Sequence, residues 1–520
     1  MRRVPGIAAY AVYALYAATP AIAQTAPPPD FDNFVNSVLR AFEVPGASVA
    51  IVKDGKVLLA KGYGVRKLGD PAPVDAETLF GIASNTKAFT ATALGMLVEE
   101  GKIEWDAPVV RYLPAFALSD PFVTHELTVR DLLVHRSGLG LGAGDLLWWP
   151  PSTYNRKEIA QRLRYIPLAT SFRSAYAYDN VLYLVAGELI ETMSGMSWED
   201  FVTRRILTPL GMTGSNVHHS AAGHGGNVAT THAPVDGKVR VIAPFASDNT
   251  NPAGGINAGA NDMAKWMIAQ LDSGRVGDKR LWSQRTARNL WSIVTPIGIG
   301  APPAELPALR ASFNGYGLGF GIRDYRGRKL LTHTGGLPGY LSRVAMLPDL
   351  KAGVAVLTNA ESGAAFDAIA NRVLDHFLGA NDTDWLAGFR TLTARADSAA
   401  KAEEAQSVAG RNTASRPSLP AAKYAGTYRD PWYGDVTISD EGGKLVMRFT
   451  KSPQLVGDME HWQYDSFLVK WRDRELRADA FVTFVLTPQG GIAEARMEAA
   501  SSSVDFSYDF QDLLLKPVTR

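Results

Sequence analysis

The chain has 520 residues, a net charge of +1 and no cysteine. The near-balanced charge implies no basic surface for nucleic acid, and the absent thiols exclude disulfides, a cysteine nucleophile and a cysteine-type zinc site. With 46% hydrophobic and 20% charged residues, it reads as a soluble globular chain long enough for two or more domains.

The first residues read as an export signal: Arg2 and Arg3, an apolar stretch from Val4 to Ile22, and small residues Ala21 and Ala23 ahead of Gln24. Pro5, Gly6 and Pro20 interrupt that stretch, and it is short for a membrane span. Residues 1–23 are therefore expected to be a signal peptide cleaved near Ala23/Gln24. The mature chain is expected to be periplasmic or secreted, with no membrane span left.

Residues 31–42 place Phe31, Phe34, Val38 and Phe42 on one helical face. Two β-rich runs then flank Asp54-Gly55, a hairpin signal because that pair tolerates the positive φ of a type I′ turn. Residues 88–101 read as a helix stopping at Gly101, so Ser84 falls at or just inside its start. Further helices are expected over 181–193, 261–271 and 364–378, and three antiparallel strands within 316–359. Strands from both ends of this region with helices between make an α+β arrangement. From about Asn381 the chain turns Ala-, Ser- and charge-rich and reads as a linker, helical at its start. Beyond residue 420, short alternating strands split by Gly, Asp and Pro suggest a small antiparallel barrel. The expected layout is a catalytic domain over 24–380, a linker over 381–420 and a barrel domain over 421–520. Hydrophobic patterning is complete before the linker, so the first 380 residues are expected to fold without the barrel.

The chemistry centres on Ser84 and Lys87. A serine hydroxyl is a poor nucleophile at its own pKa and needs a base within hydrogen-bond reach. Residues three apart on a helix are neighbours, and a lysine becomes a base when burial or nearby positive charge lowers its pKa. The spacing alone is a weak signal, since Ser398 and Lys401 repeat it in the linker. Two other stretches add weight. Tyr178-Asp179-Asn180 leads into an apolar helix, and His333-Thr334-Gly335-Gly336 closes a strand.

Ser-x-x-Lys, Tyr-x-Asn and a Lys/His-x-Gly strand, in that order, resemble the penicillin-recognising serine hydrolases. These include class C β-lactamases, D-aminopeptidases and carboxypeptidases, and β-lactamase-like esterases. The resemblance covers roughly residues 31–380 and extends through "LLVHRSGL", "PLGMTGS", "NPAGGINAGANDMAKW" and "GYGLGFGI". It implies a β-lactamase/transpeptidase-like fold, an antiparallel sheet flanked by helices with an all-helical subdomain. A barrel after a linker, here lipocalin-like, looks like the peptidase branch.

By that resemblance Ser84 is acylated, Lys87 takes its proton, and Tyr178 shuttles the proton to the leaving group. Asn180 holds the substrate amide and the Lys87 ammonium. His333, Gly335 and Gly336 line the substrate and oxyanion side, with the N–H groups of Ser84 and Gly336 as the oxyanion hole. The third motif carries His333 where β-lactamases carry lysine, which argues against penicillin hydrolysis as the main task. Histidine is charged only below about pH 7, so binding of anionic substrates is expected to weaken as pH rises through its pKa.

The implied function is a serine hydrolase acting on small or linear peptides, such as D-amino-acid peptides or opened cyclic peptides like linearised microcystin. An esterase, or a weak β-lactamase or penicillin-binding protein, is the alternative. The expected partner is a small peptide or ester, with no cofactor, no metal and no nucleic acid. Ser247-Asp248-Asn249 matches a class A motif but lacks the helix expected after it. His218, His219, His224 and His232 read as incidental loop histidines. Trp148 and Trp149 read equally as a substrate wall or a packed loop.

Overall fold

The computed structural model describes residues 26–221 and 226–518; the expected signal peptide and His224 lie outside the described residues. Helix Phe31–Ala41 forms as expected, with its buried face turned: Phe31, Val35, Val38 and Leu39 are buried, while Phe34 and Phe42 are partly exposed. Phe34 instead packs under the Arg372 guanidinium, 6.0 Å from the ring centroid.

The Asp54-Gly55 turn has both residues at positive φ, 51° and 74°, joining strands Gly46–Lys53 and Lys56–Gly64 as the sequence implies. These strands extend an eight-stranded antiparallel sheet whose other members come from residues 295–358. The region expected to hold three strands holds four: Gly321–Tyr325, Arg328–Leu337, Tyr340–Leu347 and Ala352–Thr358. The extra one arises because Arg326 and Gly327 both adopt positive φ, 49° and 77°, and reverse the chain.

Helices cover both faces, which explains why strand Ala352–Thr358 is buried throughout. Val354 and Val356 pack on one face with helices Phe31–Ala41 and Gly363–Leu378. Ala355 and Leu357 face helix Ala260–Leu271, whose Trp266 stacks on Phe89 of helix Thr86–Glu99 at 3.6 Å. Helix Thr86–Glu99 is buried on every side from Thr86 to Leu97, as befits an element apolar all round. It packs against Val181–Ser194, the central helix of the helical subdomain.

The stretch expected as a linker is a single 25-residue helix, Trp385–Ala409, whose N-cap Asp384 accepts the Ala387 N–H. Only Trp385, Gly388 and Phe389 are buried, so its first turn docks and the Ala- and charge-rich remainder lies in solvent. Beyond it an eight-stranded antiparallel sheet curls into a nearly closed barrel. The C-terminal stretch pairs with the first strand at Tyr428 and Arg429 and bridges to the last at Ala495, joining the sheet's edges. Aromatic contacts such as Tyr424–Phe484 and Phe449–Trp471 pack the barrel.

The barrel is not tethered loosely. Arg162 donates to the Trp432 carbonyl (2.8 Å), the Thr153 N–H to the Lys451 carbonyl (2.8 Å), and Arg477 forms two 2.7 Å bonds to Glu361. One buried apolar cluster runs through Trp148, Trp149 and Tyr154 into Tyr433 and Phe449. Part of the buried apolar surface around Trp149 and Tyr154 is thus shared between the catalytic domain and the barrel. Among the described residues, no helix is long and apolar enough to cross a membrane.

Candidate active site

Ser84 sits in a one-turn 3-10 segment, Ala83–Asn85, that feeds helix Thr86–Glu99. From Phe80 to Leu97 every residue is buried except Ser84, so this stretch presents one hydroxyl to the outside. Ala83 has φ 48°, a left-handed conformation unusual for alanine, which turns the chain sharply just before the serine. The turn is held by Ser342, whose Oγ donates to the Ile82 carbonyl (2.7 Å) and accepts from Asn85 Nδ2 (2.8 Å).

Lys87 is fully buried, and its Nζ donates to Ser84 Oγ (3.0 Å), Asn180 Oδ1 (2.7 Å) and the Ala253 carbonyl (3.1 Å). Burial pushes its pKa down to about 7, against the opposing pull of Asp145 and Asp179. Asp145 is also fully buried and is pushed up to about 7 for the same reason. The two groups interact, so a titration here belongs to the pair. With Lys87 as the base for Ser84, kcat/KM for a neutral substrate should climb about tenfold per pH unit below about 7 and level off above. A rate profile flat from pH 5.5 to 8.5 would remove Lys87 from that role.

Tyr178 and Asn180 come from the loop before helix Val181–Ser194. Tyr178 lines the same pocket as Ser84, with Lys87 Nζ 4.9 Å from its ring centroid, and burial holds its pKa well above that of free tyrosine, so it keeps its proton throughout the working range. Asn180 bridges: its Oδ1 accepts from Lys87 while its Nδ2 donates to Asp145 Oδ2 (2.8 Å). Asp145 also accepts from Trp148 Nε1 (2.8 Å), which accounts for one of the two tryptophans singled out in the sequence.

Beneath Tyr178 lies His135, buried and left-handed at φ 55°. Its ring is 4.3 Å from that of Tyr178, its Nδ1 accepts the Asp179 N–H (3.2 Å), and its carbonyl accepts the Ala177 N–H (3.0 Å). One histidine thus fixes the backbone on both sides of the tyrosine. Sequence reasoning noted His135 only within a resembling stretch and missed Asp145 altogether.

The facing wall is strand Arg328–Leu337. A Cβ on Gly335 would stand 2.2 Å from the Ile82 carbonyl oxygen, so glycine is what lets this strand abut the nucleophile turn. Gly336 follows on the pocket wall. His333 also lines the pocket, but both ring nitrogens are engaged: Nδ1 with the Thr334 carbonyl (2.6 Å) and Nε2 with the Tyr316 hydroxyl (2.7 Å). Nδ1 therefore carries the proton and Nε2 accepts from the tyrosine. Burial, aided by the Lys87 charge, lowers its pKa to about 3. His333 is neutral across the physiological range, and the pH-dependent reading of substrate charge expected from the sequence does not follow.

The pocket in front of Ser84 has a volume of about 410 Å³, and its walls include Trp148, Trp149, Tyr178, His333 and, from the barrel domain, Phe506. Phe506 stands edge-on to Tyr178 with ring centroids 6.1 Å apart. Ser507 lies beside Asp145 and helps hold its charged form, and buried Asp509 accepts the N–H groups of Gly144 (2.6 Å) and Leu146 (2.9 Å). The barrel's segment 505–509 is thus built into the site, a contact across more than 360 residues that no local pattern announces.

Other candidate features lie elsewhere. Ser398 is on the exposed interdomain helix, its hydroxyl bonded to the Ala394 carbonyl (2.8 Å). Asp248 binds Ser220, and Asn249 donates to the Tyr154 carbonyl (2.9 Å), so that triplet ties loops together away from the pocket. His232 accepts the Leu68 N–H and bonds the Asn359 carbonyl, and buried His219 meets Thr250.

The fold and this arrangement are those of serine hydrolases that pair a serine with a buried lysine. Residues 31–378 match the beta-lactamase family model, and the chain belongs to that family. Residues 410–517 match a domain of unknown function, DUF3471. The unguisins hydrolase ungD of Aspergillus violaceofuscus is 30% identical over 452 residues, covering 80% of this chain and 77% of that protein. The octameric penicillin-binding protein homologue from Pyrococcus abyssi superposes with a TM-score of 0.59 at 23% identity, covering 90% of this chain and 97% of that one. The D-amino acid amidase from Ochrobactrum anthropi SV3 gives a TM-score of 0.56 at 23% identity, over 67% of this chain and 99% of its own.

Proposed function

We propose that this hydrolase cleaves amide bonds in small or linear peptides through an acyl-enzyme on Ser84, and that it works outside the cytoplasm after its signal peptide is removed. Neutral Lys87 takes the Ser84 proton as Oγ attacks the carbonyl carbon. The N–H groups of Ser84 and Gly336 receive the oxyanion. Collapse of the tetrahedral centre breaks the C–N bond as a proton passes through Tyr178 to the departing nitrogen. Water then attacks the acyl carbon, giving its proton back along the same route, and Ser84 is regenerated. A relative named as an unguisins hydrolase supports hydrolysis as the reaction.

The observation that carries the amide reading is a buried tyrosine beside Ser84 and Lys87, held protonated. An amine departs only once protonated, whereas an alkoxide from an ester leaves with far less help. Tyr178→Phe should therefore lower kcat/KM for a peptide amide about 100-fold or more, and for the matched ester much less. Equal losses on both would deny Tyr178 the protonation of the leaving group. Turnover of esters alone by the unaltered protein would replace the peptidase reading with an esterase.

A further inference from the structure

A second cavity, of about 340 Å³, opens between the catalytic domain and the barrel. It shares Trp149, Gly336 and Asp505 with the pocket in front of Ser84, so the two are neighbouring compartments of one cleft. Its floor is apolar: Trp149, Ile242, Phe245 and Leu337 are all buried and line it. Its rim is acidic. Glu361, Asp473, Glu475 and Asp505 face one guanidinium, Arg477, and Arg477 is taken up by its two bonds to Glu361. Among the described lining residues the other three carboxylates have no cation; Glu475 accepts the Ala243 N–H (2.8 Å) and Asp473 a Gln454 amide N–H (3.1 Å), neutral donors that leave their charge in place.

The backbone supplies the route between compartments. Strand Arg328–Leu337 pairs with strand Gly321–Tyr325 only as far as Thr332, opposite Gly321. From Thr334 to Leu337 that side of the strand has no partner strand, and this free edge runs past Gly336 to Leu337, which lines the second cavity. An extended chain advances roughly 3.3 Å per residue, so a peptide laid along this edge passes from Gly336, which both compartments share, to Leu337 in one step.

We infer that the interdomain cavity is a second substrate subsite that takes a bulky apolar side chain from a peptide carrying net positive charge. The inference rests on the peptidase reading for its ligand and goes beyond it in naming composition and length. The apolar floor accepts the side chain by removing it from water. The unpaired carboxylates favour an adjacent lysine or free amine and repel an acidic neighbour.

Binding to the Ser84→Ala protein tests this apart from turnover. The probes are acetylated peptide amides: a single leucine amide, and four-residue peptides containing Leu-Lys or Leu-Glu. Calorimetric Kd values should be at least tenfold tighter for the Leu-Lys peptide than for either other probe. Adding Ala243→Trp, an exposed residue lining the cavity, or Ser503→Trp from its other side, should erase that advantage and leave the single-residue amide unchanged. Equal Kd values across the three probes, or an advantage that survives both tryptophans, would overturn the subsite. Failure of the peptidase reading would show separately, as no amide cleavage by the unaltered protein.

Discussion

Ser84→Ala should remove turnover, lowering kcat by on the order of 10⁴-fold or more, and leave the protein folded. The hydroxyl is the one partly exposed group in an otherwise buried stretch. Its loss takes one of the three acceptors from Lys87 Nζ and leaves Asn180 and the Ala253 carbonyl in place. Thermal unfolding should therefore shift little, since the site opens to the pocket and water can replace the lost oxygen. A fluorophosphonate should add a single adduct to the unaltered protein and none to the variant, read by intact mass. An adduct that persists in Ser84→Ala would place the nucleophile elsewhere. Lys87→Ala is a poorer probe: it strands Asn180 Oδ1 and the Ala253 carbonyl in a buried cavity, mixing lost chemistry with lost stability.

The contrast between these two residues and the rest of the site shows what a sequence can carry. Ser84 and Lys87 are legible because three residues in one chain segment fix their meeting, whatever the remaining fold does. Tyr178 and Asn180 lie more than 90 residues on, and only the order of the motifs ties them to the pair. Asp145 has no such signal. A lone aspartate in "GAGDLLWW" becomes meaningful once Asn180 and Trp148 are seen to converge on it. His333 shows the opposite failure: its position is legible, but its neutrality comes from burial and the nearby Lys87 charge, and its Nε2 is occupied by Tyr316 on another strand. The same division holds for the fold. Hairpin turns and helix cores follow local rules, as at Asp54-Gly55, while the turned face of helix Phe31–Ala41 answers to what packs against it, helix Gly363–Leu378 among others.

Asp509→Ala, a change in the barrel domain, should lower kcat about tenfold or more and lower the melting temperature by several degrees. The buried carboxylate accepts two backbone N–H groups, from Gly144 and Leu146, on either side of Asp145. Alanine leaves both donors unpaired in the interior, at about 1–3 kcal/mol each. The consequence travels along a chain of contacts. Asp145 anchors Asn180 Nδ2 at 2.8 Å, and Asn180 Oδ1 anchors Lys87 Nζ at 2.7 Å, so a loop that shifts at residues 144–146 moves the base away from Ser84. Asp509→Asn should fall between: its one oxygen can still accept one N–H, while its amide nitrogen opposes the other. Fluorophosphonate labelling, followed well below every variant's melting temperature, separates a displaced base from simple unfolding. Slower labelling of the folded variants, in the order unaltered, Asn, Ala, is the expected result. Unaltered labelling alongside a lowered melting temperature would reduce Asp509 to a structural clamp. Removing the whole barrel should then behave as Asp509→Ala or worse, because it also takes away Ser507 and uncovers Trp149 and Tyr154, whose packing partners Tyr508 and Tyr433 belong to the barrel.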